Sequence, residues 1–136
     1  MNIAVRYYTR SGNTQKLANA IAEAVNIEAK DVAAPLTGKV DVLFLGSSVY
    51  AGGVDDAVKQ FISDNKANIG KIYNFSTAAL VSSTYKQVKK LAEENGIAMA
   101  DEEFHCRGAF SIMHRNRPNE EDLKKAKDFA TNVMNK

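Results

Sequence analysis

Short apolar runs alternate along the chain with longer stretches in which apolar residues recur every three or four positions. Ile3-Ala4-Val5-Arg6-Tyr7-Tyr8 reads as a strand. Leu17, Ala18, Ile21, Ala22 and Val25 then fall on one face of a helix. Ile27 to Val32 predicts a weak second strand, its alternation only partly kept. Val40-Asp41-Val42-Leu43-Phe44-Leu45-Gly46 is a near-continuous apolar run, as expected for a strand buried on both faces. Val54, Ala57, Val58, Phe61 and Ile62 mark a second helix, and Lys71 to Thr77 a fourth strand. Tyr85, Val88, Leu91 and Ala92 line a third helix, which Gly96 is placed to end. Ile97 to Met99 and Phe104 to Phe110 hold the fifth strand, with a break between them. Leu123, Ala126, Ala130 and Val133 form the buried stripe of the last helix.

Alternating strands and helices predict a three-layer α/β/α sandwich around a five-stranded parallel sheet. Two arrangements are common for such a chain, half of a Rossmann sheet or the strand order 2-1-3-4-5. Both bind ligands outside the carboxyl ends of the strands, near the switch point. The loops of interest are therefore 9–14, 47–53, 77–84 and 108–118. Ala33 to Lys39 is too short to hold a full crossover helix, so a shortened connection is expected there.

Length and composition narrow the picture. The 136 residues suit one domain spanning 1–136. The apolar fraction of 45% and charged fraction of 25% are those of an ordinary globular protein. No apolar run approaches the roughly 18 residues of a membrane helix, and the N-terminus lacks a signal-peptide pattern. The single cysteine, Cys106, cannot form an internal disulfide, and no Cys/His cluster points to zinc or another metal. These features predict a cytoplasmic protein. A net charge of +2, with lysines interleaved among acids, argues against nucleic acid as partner.

The chemistry concentrates in the first loop, Thr9-Arg10-Ser11-Gly12-Asn13-Thr14, between the first strand and the first helix. A helix N-terminus leaves its first N–H groups unpaired and carries partial positive charge, so an anion placed there gains both. Gly12 lets the backbone curl towards a ligand. The hydroxyls of Thr9, Ser11 and Thr14 and the amide of Asn13 are candidate donors to phosphate oxygens. The last helix opens with Asn119-Glu120-Glu121-Asp122 and the second with Asp55-Asp56, whereas the first opens with Asn13-Thr14-Gln15-Lys16 and no acid. Its positive end is left for something outside the chain. No GxxxxGK[ST] or GxGxxG occurs, which argues against ATP, GTP and NAD.

Residues 9–14 match at every defined position the T/S-x-S/T-G-N-T phosphate loop of the flavodoxin family, which the chain resembles essentially from end to end. The resemblance implies the order 2-1-3-4-5 and non-covalently bound FMN, with its phosphate on loop 9–14. It also implies that Ser47-Ser48-Val49-Tyr50-Ala51-Gly52-Gly53 covers one face of the flavin ring. Tyr50 can stack on a planar ring, a contact worth about 0.5–1.5 kcal/mol beyond area burial. Gly52 or Gly53 would let a peptide turn towards the ring. Thr77, Ala78 and Ala79 would meet the ring edge through backbone groups. No second aromatic precedes Tyr85, which sits at helical spacing with Val88 and reads as core packing.

The chain departs from the family in charge. Electron-carrying flavodoxins are usually acidic around the flavin, yet these loops carry no acid beyond Asp55 and Asp56. His114, Arg115 and Arg117 suggest instead a basic rim for an anionic substrate or acidic partner. His105 and Cys106 read as sheet residues, and no catalytic side-chain set is evident. Three functions remain open. The first is electron transfer through FMN, with redox proteins as partners. The second is two-electron oxidoreductase chemistry, resembling the quinone- or protoporphyrinogen-linked relatives. The third is a binding or regulatory module without redox work. A monomer or weak dimer is expected.

Overall fold

The computed structural model describes residues 1–48, 54–78, 83–107 and 117–135. Five strands run parallel in one sheet: β1 (Ile3–Tyr7), β2 (Ala29–Asp31), β3 (Val40–Ser48), β4 (Ile69–Ala78) and β5 (Ala98–Arg107). Their spatial order is β2-β1-β3-β4-β5, the order that the family resemblance implies. Among the described residues, four α-helices follow β1, β3, β4 and β5 in turn: α1 (Asn13–Ala24), α2 (Asp56–Asn65), α3 (Tyr85–Glu94) and α4 (Glu120–Met134).

The four longer strands divide their side chains between two cores, because successive residues point to opposite faces. On β3, Val42 and Phe44 join Leu17 and Ile21 of α1 and Ala126 and Ala130 of α4. Leu43 and Leu45 join Val58 and Ile62 of α2 and Val88 and Ala92 of α3. This division explains the near-continuous apolar run: a central parallel strand has no solvent face. Phe44 is fully buried and packs edge-on against Phe129 at 6.0 Å between ring centres. Burying a side chain of this size stabilises the fold by roughly 1.5–3 kcal/mol.

The expected break in the fifth strand is an irregularity within one strand. Ile72 faces Met99 and Asn74 faces Glu103, so β5 takes four residue steps where β4 takes two. An even surplus keeps every later side chain on its proper face. Phe104 therefore still packs into the α1–α4 core beside Phe75.

The connection from β2 to β3 has no helix, as its length predicts. Val32 and Leu36 are buried in its place. Arg6, buried on β1, pins this segment: its Nε donates to the Ala34 carbonyl at 2.9 Å and its Nη2 to the Pro35 carbonyl at 3.2 Å. Burial lowers the Arg6 pKa from its ordinary value. Asn65 at the end of α2 completes the clasp, its Oδ1 accepting from Leu36 N–H at 3.0 Å.

Helix ends follow local chemistry. Gly96 ends α3 at φ +69°, with Ile97 N–H bonding back to the Ala92 carbonyl at 2.8 Å. Asn26 does the same after α1 at φ +64°, with Ile27 N–H reaching the Ala22 carbonyl at 3.0 Å.

Candidate anion and cofactor site at the carboxyl end of the sheet

The sheet reverses direction of growth at β1, whose two neighbours are β2 and β3. Loop 9–14 leaves β1 at that point, at the carboxyl end of the sheet, where open α/β folds bind their ligands. Gly12 is the N-cap of α1 at φ +90°, and no side chain caps the helix. An added Cβ on Gly12 would meet nothing within 4 Å, so its backbone angle rather than crowding selects glycine. Gly12 N–H donates to Thr9 Oγ at 2.9 Å, which folds the loop back on itself.

The other helix N-termini differ. Asp55 caps α2, its Oδ1 accepting from Ala57 N–H at 2.9 Å. Asn119 and Asp122 form a reciprocal capping box on α4. The first turn of α3 has no acid of its own, a feature it shares with α1. It nevertheless gains one from β5: Ser83 Oγ accepts from Tyr85 N–H at 3.0 Å and donates to Glu103 Oε1 at 2.6 Å. Glu103 in turn meets His105 Nδ1 at 3.1 Å. Among the four described α-helices, α1 is therefore the one whose positive end has neither a side-chain cap nor a carboxylate bonded into it.

Beneath the loop lies a buried knot of hydroxyls. Thr14 Oγ is 2.6 Å from Ser48 Oγ and 2.9 Å from Thr77 Oγ, and the latter two are 3.1 Å apart. All three side chains are buried. Ser48 and Thr77 are register partners at the ends of β3 and β4, facing α1. The first turn of α1 is thus bonded to the strand ends that lead into the other two loops. The hydroxyl of Thr14, expected to be turned towards a ligand, is held inward by this knot.

A second buried knot lies on the opposite face. Ser47 Oγ donates to Thr84 Oγ at 2.9 Å, Asn74 Nδ2 donates to the same oxygen at 3.1 Å, and Thr84 N–H reaches Ser76 Oγ at 3.3 Å. It anchors the start of α3 to β3 and β4. Sequence reading missed it because isolated polar residues within apolar strands carry no periodic signal.

The side chain of Arg10 turns sideways, its Nη2 donating to Asp55 Oδ2 at 2.9 Å. This hydrogen bond is the main force raising the arginine pKa. The N–H of Ala57, followed by Arg10, holds the Asp55 carboxyl below its ordinary value.

Arg117 does not stand in the expected basic rim. It forms a two-pronged ion pair with Asp122, with Nη2 to Oδ1 at 2.8 Å, and so supports the cap of α4. Its charge is spent because α4 needs that carboxylate at its N-terminus. Cys106 lies beside this pair, and burial is the main force pushing its thiol up to about 12. Tyr85 is half-buried and donates its hydroxyl to the Ala100 carbonyl at 3.1 Å, a packing role as expected. Val49, Tyr50, Ala51, Gly52, Gly53, Ala79, His114 and Arg115 lie outside the described residues; Ala78 ends β4.

Among the described residues, no helix is long and apolar enough to cross a membrane. The chain is 29% identical to an uncharacterized protein of Methanocaldococcus jannaschii, over 90% of each chain. Its fold matches a flavodoxin from the domain Archaea with a TM-score of 0.81 at 15% identity, covering 99% of this chain and 97% of that one. It also matches the flavodiiron core of Flv1 from Synechocystis sp. PCC6803, with a TM-score of 0.79 at 17% identity. There it covers 99% of this chain and 35% of the other. Residues 4–113 match the flavodoxin domain, and the chain belongs to the flavodoxin-domain family.

Proposed function

We propose that this protein binds FMN non-covalently at residues 9–14, 47–53 and 77–79 and works as a flavodoxin-type electron-transfer protein. One observation carries the reading: among the described residues, α1 alone offers its positive end without a cap or carboxylate, opened by a left-handed glycine at the switch point. That arrangement fits a phosphate, which gains from both the N–H groups of a first helical turn and the helix dipole. When bound, FMN supplies the redox-active ring, while the protein sets its access and potential. The main chain of loop 9–14 holds the phosphate. The hydroxyls of Thr14, Ser48 and Thr77 keep the three loops in register. No side chain need act as acid or base.

The test is a titration of the purified protein with FMN. Quenching of flavin fluorescence to a one-to-one end point is expected, and no binding at tens of micromolar would overturn the reading.

A second reading, two-electron oxidoreductase chemistry with a quinone-like or anionic substrate, is favoured by the local charge. Three described acids beside the candidate loops are paired with cations: Asp55 with Arg10, Asp56 with Lys59 and Asp122 with Arg117. These pairs reduce the negative field that would disfavour the fully reduced cofactor, to which Glu103 beside Ser83 still contributes. A redox titration with two separated one-electron waves supports the carrier; a single two-electron wave supports the oxidoreductase. A cytoplasmic location and redox-protein partners go with the first reading.

A further inference from the structure

We infer that the cavity beside the helix-free β2–β3 connection binds a small organic carboxylate, with Arg6 and Lys30 as its counter-charges. The inference does not depend on flavin. The cavity measures about 690 Å³, a size usual for small-molecule sites, which span roughly 300–1,000 Å³. It lies where the chain enters β1, β2 and β3, at the opposite end of the sheet from loop 9–14. A crossover helix ordinarily covers this face of a parallel sheet. Here segment 32–39 crosses it without one.

Arg6 and Lys30 are register partners on β1 and β2, so their side chains leave the same face side by side. Like charges so placed repel. Lys39, at the end of the crossing segment, also lines the cavity. Among the described residues, none of these three cations forms an ion pair. Glu28 is the acid of the lining, and its residue is exposed. The nearby carboxylates are engaged elsewhere: Asp31 accepts from Ala33 N–H at 2.8 Å and Asp41 from Asn2 N–H at 2.8 Å.

Arg6 carries the argument furthest. It is only 7% exposed, and a charge so buried ordinarily has a counter-ion. Arg6 has carbonyls instead: Nη1 donates to Val5 at 3.1 Å, in addition to the bonds to Ala34 and Pro35. A guanidinium has five N–H groups, so two are left without a described partner, on a side chain that lines the cavity. Carbonyls satisfy donors but do not cancel the charge. A carboxylate does both, and its two oxygens match the guanidinium fork. Ile3, Ile27, Leu36 and Val40 line the same cavity and supply an apolar wall for an organic body.

The probe is octanoate, with octanamide as its uncharged counterpart and inorganic phosphate as a bare anion. Each is titrated into the full chain with and without FMN, and amide NMR reads where it binds. Octanoate should saturate and shift the amides of residues 27–30 and 36–40, equally in both conditions. Octanamide and phosphate should each bind about tenfold more weakly or worse, the loss of one charge-assisted hydrogen bond. Lys30→Gln and Lys39→Gln should weaken octanoate roughly two- to fivefold, as for an exposed ion pair. Arg6→Lys keeps the charge but loses the fork, and should weaken it about tenfold. If Arg6→Lys does not fold, the two lysine variants decide. Urea denaturation gives a second reading: ligand-free Lys30→Gln should be at least as stable as wild type, because a repulsion has been removed. Absence of saturation, displacement of octanoate by FMN, or equal binding of octanamide or phosphate would overturn the inference. So would unchanged octanoate affinity in both lysine variants, or a lower urea midpoint for Lys30→Gln.

Discussion

Gly12 and Gly46 are required for opposite reasons. Gly12 sits at φ +90° in open space, so a side chain there strains only the backbone. Gly46 has ordinary strand geometry, but a Cβ would lie 2.2 Å from the Phe75 ring, which covers it from β4. Gly12→Ala should cost about 1–2 kcal/mol through the left-handed conformation. It should also weaken FMN binding by displacing the N–H groups of α1. Gly46→Ala should cost about 1–3 kcal/mol through overpacking. Urea denaturation of the ligand-free proteins measures both. An FMN titration of the Gly12 variant separates them: its affinity should fall by more than its lower stability accounts for. Gly12 is legible in the sequence through its motif. Gly46 is not, because its partner ring lies about thirty residues away and meets it only once β3 and β4 pair.

At the scale of elements, the helix starts carry the electrostatics. Asp122 is buried at the first turn of α4, and burial alone would raise its pKa. The hydrogen bonds from Arg117 and from Asn119 N–H outweigh burial and hold it below its ordinary value. Folding thus lowers this carboxyl's pKa. Its contribution is fully present above the unfolded value, about 3.9, and is lost as pH falls through the lower folded value. Acid denaturation should therefore steepen below about pH 4, and Arg117→Gln should lower stability at neutral pH and flatten that acid loss, because it brings the folded pKa back towards the unfolded one. A series of urea midpoints between pH 3 and pH 7 checks both statements; superimposable curves for variant and wild type would count against the ion pair. Periodicity predicts all four helices and all five strands because it is a local property of the chain. The weak second strand is weak in the structure as well, three residues at the sheet edge. Its crossover to β3 survives without a helix because Arg6 supplies hydrogen bonds to main-chain carbonyls that a helix would have satisfied internally.

For the whole molecule, the three candidate loops start on one edge because a parallel sheet places every strand's carboxyl end there. The hydroxyl knot of Thr14, Ser48 and Thr77 ties two of those strand ends to the start of α1. Ligand binding should then be felt globally. FMN at one hundred times its dissociation constant should add about 2.7 kcal/mol to the stability of the fold. A chain of this size should show a rise in melting temperature on the order of 10 °C. Riboflavin at equal concentration should give a smaller rise, because it leaves the start of α1 without an anion. Thermal melts followed by circular dichroism test the ranking, and equal shifts would argue against a phosphate at α1.

The sequence by itself determined the alternation of strands and helices, the doubly covered parallel sheet and the phosphate-loop motif. Each of these is written in neighbouring residues, as spacing or as contiguous chemistry. It also exposed the acid-free start of α1, although α3 shares that feature and is told apart by Ser83 with Glu103, which β5 brings alongside. The tertiary structure alone decided where the charges go. Arg10 meets Asp55 across 45 residues, and Arg117 turns to the cap of α4 instead of to a ligand. The first pairing depends on which strands lie side by side; the second depends on how the chain turns into α4. A side chain's partner is therefore a property of the topology, while its element is a property of the chain.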